Sequence, residues 1–236
     1  MFNEAYNNRL SMFDGLHLFT LFIIAVLIGL LYLYRNNINN ERFEKKFRII
    51  LGVFLLGFEL GFHLWVLSRG DYALDMIPLT GFCALTNLAT IVALLSNKKE
   101  WFNYIIYFAL TGAFFALVFV DTTYGAPHFR YFHYFLVHTG FIIASLYYFF
   151  TGQLNITLKY LKTALIYLLG YSLIVLVMDI ILEKNWFYLL ENPIKEISDA
   201  IGSPFYTVLW MLTIALLITL WFGLLKLINR KLIKQT

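Results

Sequence analysis

The sequence has little cysteine and few charged residues. Its 236 residues include one cysteine, Cys83, which excludes an internal disulfide and a cysteine-rich metal site. Only 14% of the residues are charged and 61% are hydrophobic, whereas an average soluble chain carries roughly 25% charged residues. So little polar surface cannot cover a soluble globule. The composition therefore predicts an integral membrane protein.

Motifs of several soluble enzyme classes are also missing. The sequence contains no glycine-rich phosphate loop, no CxxC pair and no HExxH zinc motif. The net charge of +4 comes from basic residues in short runs between apolar blocks, a pattern that sets membrane orientation and does not indicate a nucleic-acid-binding face. We therefore expect membrane lipids as partners, with no nucleic acid and no cofactor. The sequence does not indicate any protein partner.

Seven apolar blocks occupy most of the chain. Blocks near 20 residues match helices that cross a hydrocarbon core about 30 Å thick, whereas barrel strands would be about half as long and strictly alternating. The predicted spans are 16–34, 49–67, 77–95, 102–120, 131–150, 160–182 and 205–227. We therefore predict an all-α polytopic fold, organised as a single transmembrane domain over residues 1–236.

Basic residues are distributed unequally between the two ends of these spans. Thirteen follow spans one, three, five and seven, and five lie on the other side. Because Lys and Arg are retained on the cytoplasmic side, the N-terminus is predicted outside and the C-terminus in the cytoplasm. The longest external connection, 183–204, contains the aromatic run 186–188, suited to an interface, and an amphipathic run, 194–201, for which we expect an interfacial helix.

Ionisable residues near or inside the spans all lie toward the outer side. Such groups are costly in a membrane and usually face the interior of the bundle. They are His17, Glu59, His63, Asp121, His128, His133, His138 and Asp179. This distribution is typical of a cavity open on one side, whereas a transporter would place polar groups through its whole depth.

Cys83 and His138 lie at similar predicted depths, each roughly 9–11 Å inside an outer span end. A membrane thiol becomes a nucleophile when a base takes its proton, and a histidine at equal depth meets that need. Asn87, one turn deeper, is a candidate to orient the base or donate to an oxyanion, and Thr80, one turn shallower, is a rival nucleophile. Alternatively, Cys83 is a small buried hydrophobe and His138 makes an interhelical hydrogen bond.

Span two combines polar and small residues at helical spacing. Glu59 and His63 share a face, which predicts either a buried pair that fixes helix register or a network around the histidine base. Gly57 and Gly61 form a small-xxx-small pair on another side, where we expect close helix packing.

A zinc site is the remaining catalytic alternative, because clustered histidines and carboxylates also suit a metal-dependent membrane hydrolase. His128, His133 and His138 are spaced five residues apart, about 140° around a helix, so they do not share one face. No HxxxH pair occurs. The ligands would have to come from separate helices, namely His17, His63 and Asp121.

The run PHFRYFHYF at 127–135, followed by His138, resembles the signature of the YwaF-like bacterial integral membrane proteins. Further segments fall in the order that such proteins show. They are His17, 75–85, Asp121, 185–189 and 204–206. One departure lies in span three, where IPLTGFC at 77–83 lacks the histidine of the bacterial pattern LPLHLC and sets the cysteine one position further from the proline.

This family is similar to a eukaryotic membrane acyltransferase that remodels ether glycerophospholipids without acyl-CoA, using a cysteine and a histidine. It resembles, more distantly, the androgen-induced hydrolases of branched fatty-acid esters, which use a threonine and a histidine. The resemblance implies His138 as the general base, Cys83 or Thr80 as the nucleophile, and the bacterial cytoplasmic membrane as the location.

The leading hypothesis is a membrane-embedded acyl-transfer enzyme, either a transacylase or lipase-like, that acts on glycerolipids of the outer leaflet. Arg130 and Tyr134 repeat with His138 at intervals of four and predict an inward-facing polar stripe. Candidate oxyanion donors and supporting residues are Asn87, Tyr134, Glu59 and His63; candidate substrate-binding residues are Arg130, His128, His133, Asp121 and His17. The alternatives are a non-catalytic lipid-binding, transport or assembly protein, and a zinc-dependent membrane hydrolase.

Overall fold

The computed structural model describes residues 10–70, 81–120, 122, 124–192 and 195–233, and within these ranges the regular structure is helical. The helices are α1 (Gly15–Leu33), α2 (Arg35–Ile38), α3 (Glu41–Ser68), α4 (Phe82–Leu95), α5 (Phe102–Val118), α6 (Phe129–Phe150), α7 (Leu158–Leu182), α8 (Lys195–Ile201) and α9 (Phe205–Ile233), with a 3-10 turn at Lys99–Trp101. Six of them, α1, α3, α5, α6, α7 and α9, are long and apolar enough to cross a membrane. The prediction of a multi-pass helical membrane protein is confirmed.

Six predicted spans coincide with these six helices. The largest difference is at α3, which begins at Glu41, well before the predicted span 49–67. Asn40 makes this earlier start favourable, since its side chain accepts a hydrogen bond of 2.9 Å from the backbone N–H of Phe43. The remaining predicted span, 77–95, corresponds to α4, which has 14 residues, fewer than the roughly 20 needed to cross alone. Residues 77–80 lie outside the described residues.

Consecutive helices of the bundle run in opposite directions. The hydroxyl of Tyr134, early in α6, donates to the carbonyl of Ala116, late in α5, at 2.5 Å. At the other end, the backbone N–H of Asn155, just beyond α6, donates to Oδ1 of Asn103, early in α5, at 2.7 Å. The α5 and α6 helices are therefore antiparallel along their full length.

The same relationship holds between α3 and α4. Nδ2 of Asn87, in the first half of α4, donates to Oε2 of Glu59, late in α3, at 2.9 Å. Arg48, early in α3, donates to the carbonyl of Leu94, at the end of α4, at 3.2 Å. Thus α3 ends, and α4 begins, at one end of the bundle.

The start of α1 lies at this same end. Nε2 of His17 lies 2.7 Å from the carbonyl of Leu117, at the end of α5, and Thr20 hydrogen-bonds to the hydroxyl of Tyr131, at the start of α6. We call this the polar end, because it holds the Glu59 carboxylate and the predicted histidines.

The helices α5 and α6 form the centre of the bundle, whereas α1, α7 and α9 present exposed apolar side chains outward, for example Phe22, Ile166 and Leu212. Apolar side chains on the outer surface are what a hydrocarbon environment requires. The central pair brings the polar residues of α6 against α3, α4 and α5.

The closest helix approaches lie at glycines other than the predicted pair. A Cβ on Gly57 would meet open space, and one on Gly61 would make only ordinary contact at 3.4 Å. In contrast, a Cβ on Gly52 would lie 2.7 Å from a leucine of α4, and one on Gly140 would lie 2.5 Å from a leucine of α3. The prediction of close packing at the small-residue pair is wrong, because spacing along one helix does not reveal which side its neighbours occupy.

A candidate site at the polar end of the bundle

Glu59 of α3 is a buried acceptor at the polar end that bonds to α4 and lies near α6. Its side chain is buried, with the residue 9% exposed. Oε2 accepts the hydrogen bond from Asn87 of α4 and lies 3.9 Å from Nε2 of His133 in α6, while Oε1 lies 3.3 Å from Nε2 of His63 in α3. The hydrogen bond from Asn87 fixes α4 against α3, since a buried carboxylate without a donor would be costly.

Arg130 extends this group toward the start of α6. Its Nη1 lies 3.0 Å from Nδ1 of His133, and its guanidinium carbon lies 4.4 Å above the ring of Phe62. A guanidinium only donates, so Nδ1 of His133 is the acceptor and Nε2 of the neutral ring carries the hydrogen that faces Glu59. We call Glu59, His63, Asn87, Arg130 and His133 the Glu59 cluster.

His138 has a fixed orientation one helical turn below Tyr134. Its Nδ1 lies 2.6 Å from the Tyr134 carbonyl oxygen. Because a carbonyl only accepts, Nδ1 is the protonated nitrogen and Nε2 of the neutral ring carries the lone pair. The ring packs beside those of Tyr134 and Phe141, with centroid separations of 4.6 Å and 5.3 Å. This is the tautomer that a general base needs.

Cys83 is the second residue of α4 and is partly exposed. Its Sγ fills the space beside Gly112 of α5, since a Cβ on that glycine would lie 3.0 Å from it. The preceding ring, that of Phe82, stacks on Phe187 with a centroid separation of 4.9 Å. Within the described part of the chain, no hydrogen bond joins Cys83 to His138.

The antiparallel register of α5 and α6 puts Cys83 and His138 at a similar level along α5. Tyr134 bonds to Ala116, and because the two helices are antiparallel, the next turn of α6, with His138, lies opposite the turn of α5 that contains Gly112. Cys83 packs against that glycine from α4. Along the axis of α5, the two predicted catalytic residues therefore lie about one turn beyond the Tyr134–Ala116 hydrogen bond.

The remaining predicted site residues have other surroundings. Both ring nitrogens of His17 bond to the backbone, Nδ1 accepting from Phe13 at 2.9 Å and Nε2 donating to Leu117 at 2.7 Å, so this side chain joins α1 to α5. His128 caps α6, its Nδ1 accepting from the backbone N–H of Arg130 at 3.1 Å. Two predicted residues, Thr80 and Asp121, lie outside the described residues.

The loop at 183–192 packs against the candidate site, which the sequence did not predict. Asp179 at the end of α7 accepts from the backbone N–H of Trp186 at 3.0 Å, and Trp210 of α9 donates to the carbonyl of Phe187 at 2.9 Å. Phe187 is buried and packs on Phe82, next to Cys83. The aromatic run 186–188, predicted at the membrane interface, therefore contributes a ring to the wall of the site; the buried Asp179 was the signal for such an anchor.

The clustered histidines and carboxylates that the structure describes do not form a metal site. Across the described ranges, no group of three or more His, Cys, Asp or Glu side chains is arranged to hold a metal ion. In the Glu59 cluster the cation is instead the guanidinium of Arg130, 3.0 Å from His133, which would repel a metal ion bound to that imidazole.

These observations define a multi-pass helical membrane protein with a buried polar cluster at one end of its bundle. The chain belongs to the TMEM164 family, which it matches over residues 12–225. The match covers α1 to α8 and most of α9. No curated protein and no solved structure matches the chain.

Proposed function

We propose that this protein is a membrane-embedded enzyme that transfers acyl groups of glycerolipids, with His138 as general base and Cys83 as nucleophile. The observation that carries the proposal is the orientation of His138. The Tyr134 carbonyl accepts the hydrogen of Nδ1, so the lone pair of Nε2 is available as a base, and the packing of Cys83 against Gly112 at a similar level of α5 supports the thiol as its partner. The resemblance to the cysteine and histidine acyltransferases supports the same assignment.

In the first step, Nε2 of His138 takes the proton of the Cys83 thiol while Sγ attacks the ester carbonyl of a glycerolipid. The new carbon–sulfur bond forms, the ester carbon–oxygen bond breaks, and the proton on Nε2 passes to the departing lysolipid alkoxide. In the second step, His138 deprotonates the hydroxyl of a second lysolipid or of water. That oxygen attacks the thioester, the carbon–sulfur bond breaks, and the proton returns to Sγ.

The first turn of α4 supplies candidate donors for the oxyanion. The first N–H groups of any helix have no partner within it, and α4 is preceded by Gly81, which offers no side chain to cap them. The N–H groups of Cys83 and Ala84 are therefore placed beside the reacting sulfur. Asn87 and Tyr134, the donors predicted from the sequence, already donate to Glu59 and Ala116, so we assign them to positioning.

The Glu59 cluster is the proposed head-group site. Arg130 is half-buried at the start of α6, and a guanidinium binds phosphate through paired hydrogen bonds. His63 and His133 lie on either side of the Glu59 carboxylate, where the single N–H of a neutral imidazole can donate either to Glu59 or to an oxygen of the head group. Arg130 and Cys83 belong to the same end of the bundle. A lipid whose phosphate binds Arg130 would therefore bring one of its ester groups near Cys83.

We further propose seven crossings, with the N-terminus outside and the C-terminus in the cytoplasm of a bacterial cell. Because α3 ends at the polar end and α5 begins at the opposite end, the chain between them returns through the bundle, and α4 runs in the required direction. The unequal distribution of Lys and Arg supports the orientation. The polar end then faces the outer leaflet.

The proposal is tested by mass spectrometry of the purified protein incubated with a phospholipid that carries an isotope-labelled acyl chain and with an unlabelled lysolipid. We expect label in the acceptor or in free fatty acid with the wild type, and none with His138→Asn. Cys83→Ala and Thr80→Ala, tested separately, identify the nucleophile, and only the first should abolish transfer. Saturable lipid binding without transfer by the folded wild type would overturn the proposal in favour of the non-catalytic alternative.

A further inference from the structure

A cavity of about 470 Å³ lies between α4, α5 and α7. Its walls are mainly aromatic and aliphatic. They include Phe82 and Ala89 on α4, Trp101 directly before α5, Phe108 within α5, and Leu168 on α7. Small-molecule sites have volumes of roughly 300–1,000 Å³, so this space is large enough for a substantial part of a lipid.

The chemistry of the walls suits a hydrocarbon chain and not a head group. The Thr86 hydroxyl already donates to the carbonyl of Phe82 at 2.8 Å. The rings of Tyr104 and Tyr167 pack on each other with a centroid separation of 5.6 Å. Among the residues that the structure describes, no charged side chain lines the cavity. Burial of methylene groups is therefore the main interaction that it offers, about 0.8 kcal/mol each.

The cavity is accessible from the side of the bundle. Both α4 and α7 pack against α5, and between themselves they meet at Phe82 and Tyr171, whose ring centroids lie 6.3 Å apart, which leaves a gap further along the two helices. The gap between them faces the region that lipid occupies around a membrane bundle. A chain can therefore enter laterally from the bilayer, without passing through the polar end.

One end of the cavity adjoins Cys83. Phe82, which forms that end, directly precedes Cys83 in the chain, and its ring contacts the position of a Cβ on Gly112 at 3.0 Å, as Cys83 does. From Phe82 to Ala89 the axis of α4 advances about 10 Å, which is roughly the length of eight bonds of an extended chain. Ala89 faces the far part of this path.

We propose that this cavity holds the acyl chain that is transferred, and that Ala89 and Leu168 determine the preferred chain length. The inference rests on the proposed function, because it places the ester carbonyl at Cys83 and the chain along α4. The polar residues of the proposed mechanism do not select among esters with different acyl chains. The cavity adds that selection.

The test uses the purified full-length protein and two readouts. The first is photolabelling by a phospholipid with a diazirine near the end of one acyl chain, mapped by peptide mass spectrometry. The second is the chain-length distribution transferred from a mixture of phosphatidylcholines. Ala89→Phe fills the cavity and Leu168→Ala enlarges it; Val92→Phe is the matched control, because Val92 lies on α4 but points outward, 41% exposed.

We expect labelling on α4 and α7, reduced at least fivefold by Ala89→Phe and unchanged by Val92→Phe. The transferred chains should become shorter with Ala89→Phe and longer with Leu168→Ala, opposite shifts that misfolding would not produce. Transfer with an unaltered distribution and labelling elsewhere would overturn the cavity assignment but leave the acyl-transfer proposal standing. A third outcome is that the wild type is labelled in the cavity but transfers no acyl chain, and that Ala89→Phe abolishes the labelling. This outcome would support a lipid-chain cavity and overturn the acyl-transfer proposal.

Discussion

Gly112 of α5 provides the space that the Cys83 side chain of α4 occupies. A Cβ at position 112 would lie 3.0 Å from Sγ and equally close to the ring of Phe82, a distance at which one of the groups has to move. The position of the proposed nucleophile therefore depends on the absence of a methyl group on the neighbouring helix.

Gly112→Ala should displace Cys83 and reduce acyl transfer at least tenfold, because misplacement of a reacting group by about 1 Å costs up to 100-fold in rate. The overpacked contact should also lower the free energy of unfolding by about 1–3 kcal/mol. Transfer rates and detergent unfolding of purified variants measure both effects. Gly57→Ala is the matched control and should change neither, since a Cβ there meets open space. Wild-type transfer by Gly112→Ala would contradict the proposed position of the nucleophile.

His138→Asn should abolish transfer while leaving the bundle folded. The Asn amide can still donate to the Tyr134 carbonyl, which now accepts from Nδ1 at 2.6 Å, but it offers no basic nitrogen. Loss of a general base lowers turnover roughly 100- to 10,000-fold. The measurement is the initial rate of label transfer, with the thermal unfolding midpoint as the folding control. An unchanged rate would remove His138 from the mechanism.

Substitutions of Glu59 should separate its hydrogen bonds from its charge. Glu59→Gln keeps an oxygen for the Asn87 amide, now 2.9 Å away, and should cost less stability than Glu59→Leu. The leucine leaves that buried amide without its acceptor, which we expect to cost about 1–3 kcal/mol. Reversible unfolding in mixed micelles gives the two free energies. Equal losses for both variants would show that the hydrogen bond to Asn87 does not hold α3 and α4 together.

The cap of α1 predicts a dependence of stability on pH. The backbone N–H groups of His17 and Ser11 donate to the carboxylate of Asp14 at 2.8 Å and 2.9 Å and hold the pKa of Asp14 below its ordinary value of 3.8. A carboxyl group with a lowered folded-state pKa stabilises the fold above its unfolded pKa, and this contribution is lost as the pH falls below about 4.

The unfolding midpoint of the wild type should therefore fall more between pH 5 and pH 3 than that of Asp14→Asn. The asparagine retains the cap but does not titrate. The difference between the two proteins isolates Asp14 from other acidic groups. Parallel curves for the two proteins would contradict the assignment of this pH dependence to the cap.

The apolar blocks of the sequence predicted most of the helices because the period and length of a membrane helix are local properties. The predicted spans 16–34, 131–150 and 160–182 differ from α1, α6 and α7 by no more than two residues at any end. Span 49–67 predicted only the apolar part of α3, since the first turns of that helix carry Glu41 and several basic residues, which hydrophobicity does not reveal.

Helical spacing predicted which polar residues share a face of one helix, but not which neighbouring helix that face meets. Spacing by four correctly placed Glu59 and His63 on one face, 3.3 Å apart. It did not indicate that the same carboxylate also meets Asn87 and lies near His133, because those contacts depend on how α3, α4 and α6 are rotated against each other. For the same reason, the pair Gly57 and Gly61 did not indicate the glycines that helices approach most closely.

The helix α6 is the least apolar of the six long helices and the most deeply enclosed. It carries Arg130, His133 and His138, and a charged residue in an isolated helix is costly to insert into a bilayer, by about 2.5–3.5 kcal/mol at its centre. The hydroxyl of Tyr134 is already bonded to α5, the helix synthesised just before it. Biogenesis of the protein should therefore require α6 to leave the translocon paired with α5, so that the residues of the site never face lipid on their own.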